Sequence, residues 1–169
     1  YTSNHLELAE PLPNGLREHL PNLIANVRPA YRDDSAGVYR SSTARLVGGV
    51  FYPSLVERPG DEGDPEVGNL LWACHNVWLH YRMAMDDGLL RESLYPVLRR
   101  AVNYHRHFLE EGPDGRLHLP RTRSPEYKSG PDCNYDLALL RWGADTLLDI
   151  TARLGLEDPL TPEWRRIVE

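Results

Sequence analysis

Cysteine is scarce in this chain: there are two, Cys74 and Cys133, far apart and with no CxxC pair. That spacing supports neither a zinc knuckle nor a disulfide scaffold, although one bridge between them stays open in an oxidising compartment. Long apolar runs are missing as well. No stretch approaches the roughly 20 apolar residues that a membrane-spanning helix requires, so no transmembrane helix and no membrane partner are expected. Basic excess is also missing. A formal charge of -6 and a pI near 5.6 offer no positive field to a phosphate backbone, and nucleic acid is not an expected partner. The glycine-rich dinucleotide and P-loop motifs, the GxSxG elbow and the HExxH zinc helix are all absent. His75 and His80 are five residues apart and His105 and His107 two apart, so neither pair shares a helix face. No metal and no cofactor are expected. Acid–base chemistry or binding remains.

What is present is the composition of a globular protein, 41% hydrophobic and 26% charged, in 169 residues. That length accommodates one helical domain across residues 1–169 with a real core, since such a chain buries roughly two thirds of its unfolded surface. The chain opens YTSNHLELAE, without an initiator Met or an export signal, and stops soon after a new helix begins at Pro162 and Trp164. It reads as a piece cut from a longer polypeptide, whose remainder would be its partner.

Helical periodicity dominates. Leu71, Cys74, Trp78, Tyr81 and Met85 are spaced three, four, three, four, and predict a helix from about Pro65 to Ala84, stopped by Asp86-Asp87-Gly88. Leu90, Leu94, Val97, Ala101, Tyr104 and Phe108 predict a second helix, with Pro96 kinking or restarting it near Tyr95 and Glu111 to Gly115 ending it. Tyr135, Leu137, Leu140, Ala144, Leu147, Thr151 and Leu154 predict a third, capped by Asn134 or Asp132 and closed by Gly155. An earlier helix is expected over Pro13 to Val27. Strand character is nearly confined to Arg45 to Tyr52, with Arg116 to Pro120 pairing locally. The fold class is mainly α. Two long loops, at about 28–65 and 120–133, precede the first and third long helices, and loops of that length inside a compact domain are usually functional or disordered. Their equivalent positions place them on one rim of the helical array.

The chemistry is sought in the second loop. Glu126 stands between Pro125, which fixes the local backbone, and Tyr127, which can wall off water. Its carboxyl is either a desolvated proton donor with a raised pKa or a solvated loop residue. Asn134 and Asp136 flank Tyr135 at a helix start, where they either bind a substrate hydroxyl or satisfy the first turn's amides and dipole. Trp72, Trp78 and Trp142 form either a stacking platform for a sugar ring or part of the core.

Taken together, the helices within LLWACHNVWLHYRMAMDDGLLRESLYPVLRRAVNYHRHFLEEGPDGRLHLP, the loop RTRSPEY and the helix start DCNYDLALLRW resemble the helical catalytic domain of glycoside hydrolase family 95. These are the inverting α-L-fucosidases and α-L-galactosidases, with family-95-like bacterial proteins beside them. The resemblance covers about Gly68 to Leu154, roughly half the chain. It implies a mainly α architecture that is an incomplete part of an (α/α)6 toroid, as in the six-hairpin glycosidases. It also implies a glycan or oligosaccharide substrate and Glu126, of the Ser-Pro-Glu loop, as general acid. Trp72, His75, Asn76, Tyr127, Asn134 and Asp136 are then the substrate-binding candidates. The family's water-activating Asn and Asp lie outside the matched stretch, so the isolated chain is expected to be inactive. His75-Asn76 stands where the family commonly has Gln-His, which implies an altered donor pattern and sugar preference. The competing readings are a non-catalytic carbohydrate-binding domain derived from the same fold and a plain helical interaction module. An enzyme acting on such glycans is expected in the periplasm or outside the cell.

Overall fold

The computed structural model describes residues 11–37, 66–124 and 128–169. Two short helices come first, α1 (Pro11–Glu18) and α2 (Leu20–Ala25), followed by a 3-10 turn at Pro29–Tyr31. The single helix expected over Pro13 to Val27 is therefore broken at His19. Pro21 in the first turn of α2 donates no backbone hydrogen bond and disfavours helical geometry just before it. Leu16 and Leu23, from the two halves, are both fully buried.

The first long helix, α3, spans Asn69–Ala84 and starts four residues later than its periodicity suggested. Pro65 lies outside the described residues. Glu66, Val67 and Gly68 run into the helix as buried chain, and a Cβ on Gly68 would come within 2.6 Å of both Asp136 Oδ1 and Tyr135 Cε1. Only glycine permits that approach. At the other end, Met85 takes a left-handed φ of 54° and its amide bonds the Tyr81 carbonyl, after which the Asp86 carboxylate accepts the Gly88 amide at 2.8 Å. The expected stop is there.

Pro96 has the effect foreseen. A helical turn at Asp87–Leu89 widens into a π turn at Leu90–Leu94, in which the Tyr95 amide reaches back five residues to the Leu90 carbonyl. A regular helix, α4, then restarts at Tyr95 and runs to Arg106, with Pro96 in its first turn where no donor is required. It ends short of the acidic Gly-Pro turn because Phe108 leaves the helix and is buried edge-on against Tyr104 and Tyr31.

The described residues of the stretches 107–124 and 128–133 are more ordered than a loop. Strands β1 (Glu110–Glu111) and β2 (Leu117–His118) pair antiparallel, as the local pairing of Arg116 to Pro120 suggested. Strands β3 (Thr122–Arg123) and β4 (Ser129–Gly130) form a second small hairpin where an irregular loop was expected. Two-residue strands are too short to display alternation, so the pattern could not reveal them. The run Arg45 to Tyr52 lies outside the described residues.

The longest helix, α5 (Asn134–Leu154), is stopped by Gly155 at φ 61°, with the Gly155 and Leu156 amides both returning to the Thr151 carbonyl. Neither expected cap residue caps it. Cys133 occupies the N-cap position without a side-chain bond, and the Asp132 carboxylate instead holds the Leu119 amide and the His118 ring. Helix α6 (Thr161–Val168) packs on α5 and buries Trp164 completely.

Helices α3, α4 and α5 pack against one another around Leu71, Cys74, Val77, Leu98, Val102, Ala144 and Leu147. Gly143 of α5 leaves room for side chains of the other two, since a Cβ there would lie 2.9 Å from Val102 Cγ2 and 3.2 Å from Leu71 Cδ2. Both cysteines are free thiols, Cys74 inside this core and Cys133 half-buried, so the bridge left open by the sequence is not formed. Among the described residues no helix is long and apolar enough to cross a membrane.

Candidate functional site

The ends of the two long loops meet. Residues 66–68, which finish the first, lie against Tyr135 and Asp136 at the start of α5, and β3 of the second hairpin closes the same corner through Thr122. Glu126 and Tyr127 fall between Ser124 and Lys128 and lie outside the described residues. Their flanks are well defined: the Ser124 amide donates to the Lys128 carbonyl at 3.1 Å, above the paired residues of β3 and β4.

On one side of this corner α3 presents residues spaced three and four apart, Trp72, His75 and Asn76, which share a helical face. Trp72 is 47% exposed, which sets it apart from the buried Trp164 and excludes a core role. Its ring meets Tyr135 edge-on at 5.8 Å, and Tyr135 in turn donates to Asn69 Oδ1 at 3.3 Å. His75 meets Trp142 edge-on at 4.8 Å, and partial burial holds its ring below the usual histidine range. The Asn76 amide donates to the Trp72 carbonyl at 3.2 Å, one turn back. Asn134 is exposed at the start of α5. Trp78 does not join this group. It stacks on Tyr81 at 5.1 Å and lines a separate cavity of about 340 Å³ with Met85, Leu90 and Arg153. The three-tryptophan platform is therefore reduced to Trp72, edge-on to Tyr135, and Trp142, edge-on to His75.

Asp136 has another place than the one expected of a ligand-binding residue. It is fully buried. Its Oδ2 accepts the Thr122 hydroxyl at 2.5 Å, and Thr122 is itself completely buried. Its Oδ1 has no hydrogen bond of normal geometry among the described residues, although the Gly68 amide lies near enough to favour the charged form. Burial pushes the Asp136 carboxyl up to about 6. The neighbouring Glu66 charge acts in the same direction, against the Thr122 and Gly68 contacts. Burial and the same two carboxylates hold the Tyr135 phenol well above its usual value. Sequence reasoning missed Glu66, Gly68 and Thr122. Thr122 lies four residues before Glu126, but nothing in the spacing announced that a strand would carry it to α5.

This corner joins an aromatic ledge, a buried acid and the β3–β4 hairpin, all mounted on packed helices. A family model, Glycosyl hydrolase family 95 catalytic domain, matches residues 61–168, which include every part of the corner. The protein is thus of glycoside hydrolase lineage. More narrowly, the chain belongs to glycoside hydrolase family 95. Comparison with curated proteins gives no match.

Proposed function

We propose that this chain carries the acid half of an inverting glycoside hydrolase site that removes a terminal α-linked L-fucose or a related sugar. Glu126 is the general acid, and the fold is an incomplete (α/α)6 toroid completed by the remainder of the polypeptide. The observation that supports this reading is the family match across the Ser-Pro-Glu loop, combined with the exposed Trp72 edge beside that loop's attachment point. An aromatic edge half open to solvent suits the apolar face of a sugar ring. Tyr127 and Asn134 complete the binding wall with His75 and Asn76.

In this mechanism Glu126 protonates the departing glycosidic oxygen. A base about 6.5 to 9.5 Å away activates water on the opposite face of the ring. The base belongs to the family's Asn and Asp, beyond the stretch that carried the resemblance, so this chain alone would bind without turning over. No cofactor is needed for such acid–base chemistry. An enzyme acting on such glycans would work in the periplasm or outside the cell.

A second reading is a carbohydrate-binding domain that has lost its chemistry. It is favoured by His75-Asn76, which stands where the family commonly has Gln-His. Turnover of aryl α-L-fucosides and α-L-galactosides by the full-length protein, beside Glu126→Gln, separates the two. The hydrolase reading expects turnover that nearly vanishes in Glu126→Gln while sugar binding persists. Binding without turnover in both proteins would establish the second reading.

A further inference from the structure

The β3–β4 hairpin, whose strands precede and follow Glu126 in the sequence, is fixed at three levels. At its base the Asp132 amide bonds the Leu119 carbonyl at 3.2 Å, and the Asp132 carboxylate returns to the Leu119 amide at 2.8 Å. At its outer end Ser124 bonds Lys128. These contacts join the hairpin to itself. A sideways attachment to the helical body is the Thr122 hydroxyl on Asp136 Oδ2, at 2.5 Å between two fully buried residues. Asp136 sits in the first turn of α5, and its other oxygen is packed against Gly68, on the segment leading into the helix of Trp72 and His75. One carboxyl therefore meets all three pieces of the corner: the β3–β4 hairpin, the aromatic helix and the long helix α5.

We propose that Asp136 and Thr122 form a positioning pair that holds the Ser-Pro-Glu hairpin, and with it the proton of Glu126, against the sugar-binding ledge. The proposal rests on the reading of Glu126 as general acid. A buried hydroxyl–carboxyl bond has no water to replace it, so losing the hydroxyl leaves the carboxyl without its donor and frees β3 to shift. General-acid catalysis is sensitive to such shifts, and a displacement of about 1 Å can cost about a hundredfold in rate.

The test uses the full-length protein and two α-L-fucosides, one with a dinitrophenyl leaving group that departs without protonation and one with a sugar or alkyl leaving group that requires it. Thr122→Val preserves the side chain's shape and removes the hydroxyl, whereas Thr122→Ser retains the hydroxyl. Thr122→Val is expected to lower kcat about ten- to a hundredfold on the sugar leaving group, with little change on the dinitrophenyl substrate and in KM. Thr122→Ser should restore most of the loss. Asp136→Asn, which still offers Thr122 an acceptor, should fall between them, and it serves as the test if Thr122→Val does not fold. Equal losses on both substrates, or no loss, in Thr122→Val and Asp136→Asn would overturn the positioning pair while leaving Glu126 untouched. Absence of leaving-group dependence in Glu126→Gln, or no turnover by the wild type, would instead overturn the acid assignment and the pair with it.

Discussion

Replacing Asp136 by Asn is expected to change how stability depends on pH rather than to shift it uniformly. Burial raises the Asp136 carboxyl from 3.8 to about 6. A folded-state pKa above the unfolded one means that this group's contribution is complete below pH 3.8 and is lost as pH rises through about 6. At about 1.4 kcal/mol per pH unit, the loss amounts to roughly 3 kcal/mol. His105 acts in the opposite sense over nearly the same interval. Burial lowers its ring from 6.5 to about 4, against the pull of the Ala101 carbonyl on Nδ1, and its Nε2 is enclosed without a partner among the described residues. The unfolded chain therefore takes up a proton that the fold refuses, and stability rises by roughly 3 kcal/mol between about pH 4 and 6.5. His75, also lowered by burial, adds to that rise.

In the wild type the Asp136 and His105 slopes largely cancel. The titratable groups facing Asp136 are Glu66 and Tyr135, and the raised Tyr135 stays neutral throughout. The lowered carboxyls of Asp34, Asp114 and Asp158 act below this interval, and the raised His118 acts above it. Asp136→Asn removes one of the two opposing slopes. Urea unfolding followed by tryptophan fluorescence should then show stability rising by roughly 3 kcal/mol more from pH 4 to 6.5 in the variant than in the wild type. Parallel curves would refute the assignment of Asp136 as a buried, proton-holding carboxyl.

Gly143→Ala should lower stability by about 1 to 3 kcal/mol, measured as a fall in Tm, because its methyl would sit 2.9 Å from Val102 where three helices cross. The Asp158 carboxylate accepts bonds from Tyr95 and Arg99, both at 2.6 Å, and from the Leu160 amide. Burial works to raise its pKa, but Arg99 and Tyr95 hold it below the usual carboxylate range. Asp158→Ala would strip a half-buried guanidinium and a phenol of their shared acceptor, and should cost about 3 kcal/mol in chemical denaturation. Trp72→Ala should leave Tm nearly unchanged, since the ring is 47% exposed, while weakening sugar binding by calorimetry or raising KM.

The long helices were legible because their stripes are long and their stops explicit: Gly155 closes α5 and Pro96 restarts α4 as the pattern required. The start of α3 was less legible. Pro65 suggested an N-terminus, but the need for Gly68 to pass close to α5 is a contact between residues 68 positions apart, which no local pattern encodes. The candidate site divides in the same way. Trp72, His75 and Asn76 were singled out through the family resemblance, and the helix that carries them sets them on one face. Asp136 was read as either a ligand-binding or a helix-start residue, and its side chain is instead buried against Thr122 and Gly68, because helix-start chemistry looks alike whether the partner is water, sugar or strand. Trp78 shared the stripe of buried Tyr81 and so packs away from Trp72.

The most direct test of the central claim is the anomer released first. Hydrolysis of an α-L-fucoside by the full-length protein, followed by proton NMR before mutarotation, should show β-L-fucose first, and that signal should disappear on a sugar leaving group in Glu126→Gln. The α-anomer appearing first, or a rate indifferent to Glu126, would contradict an inverting hydrolase with its acid in this loop.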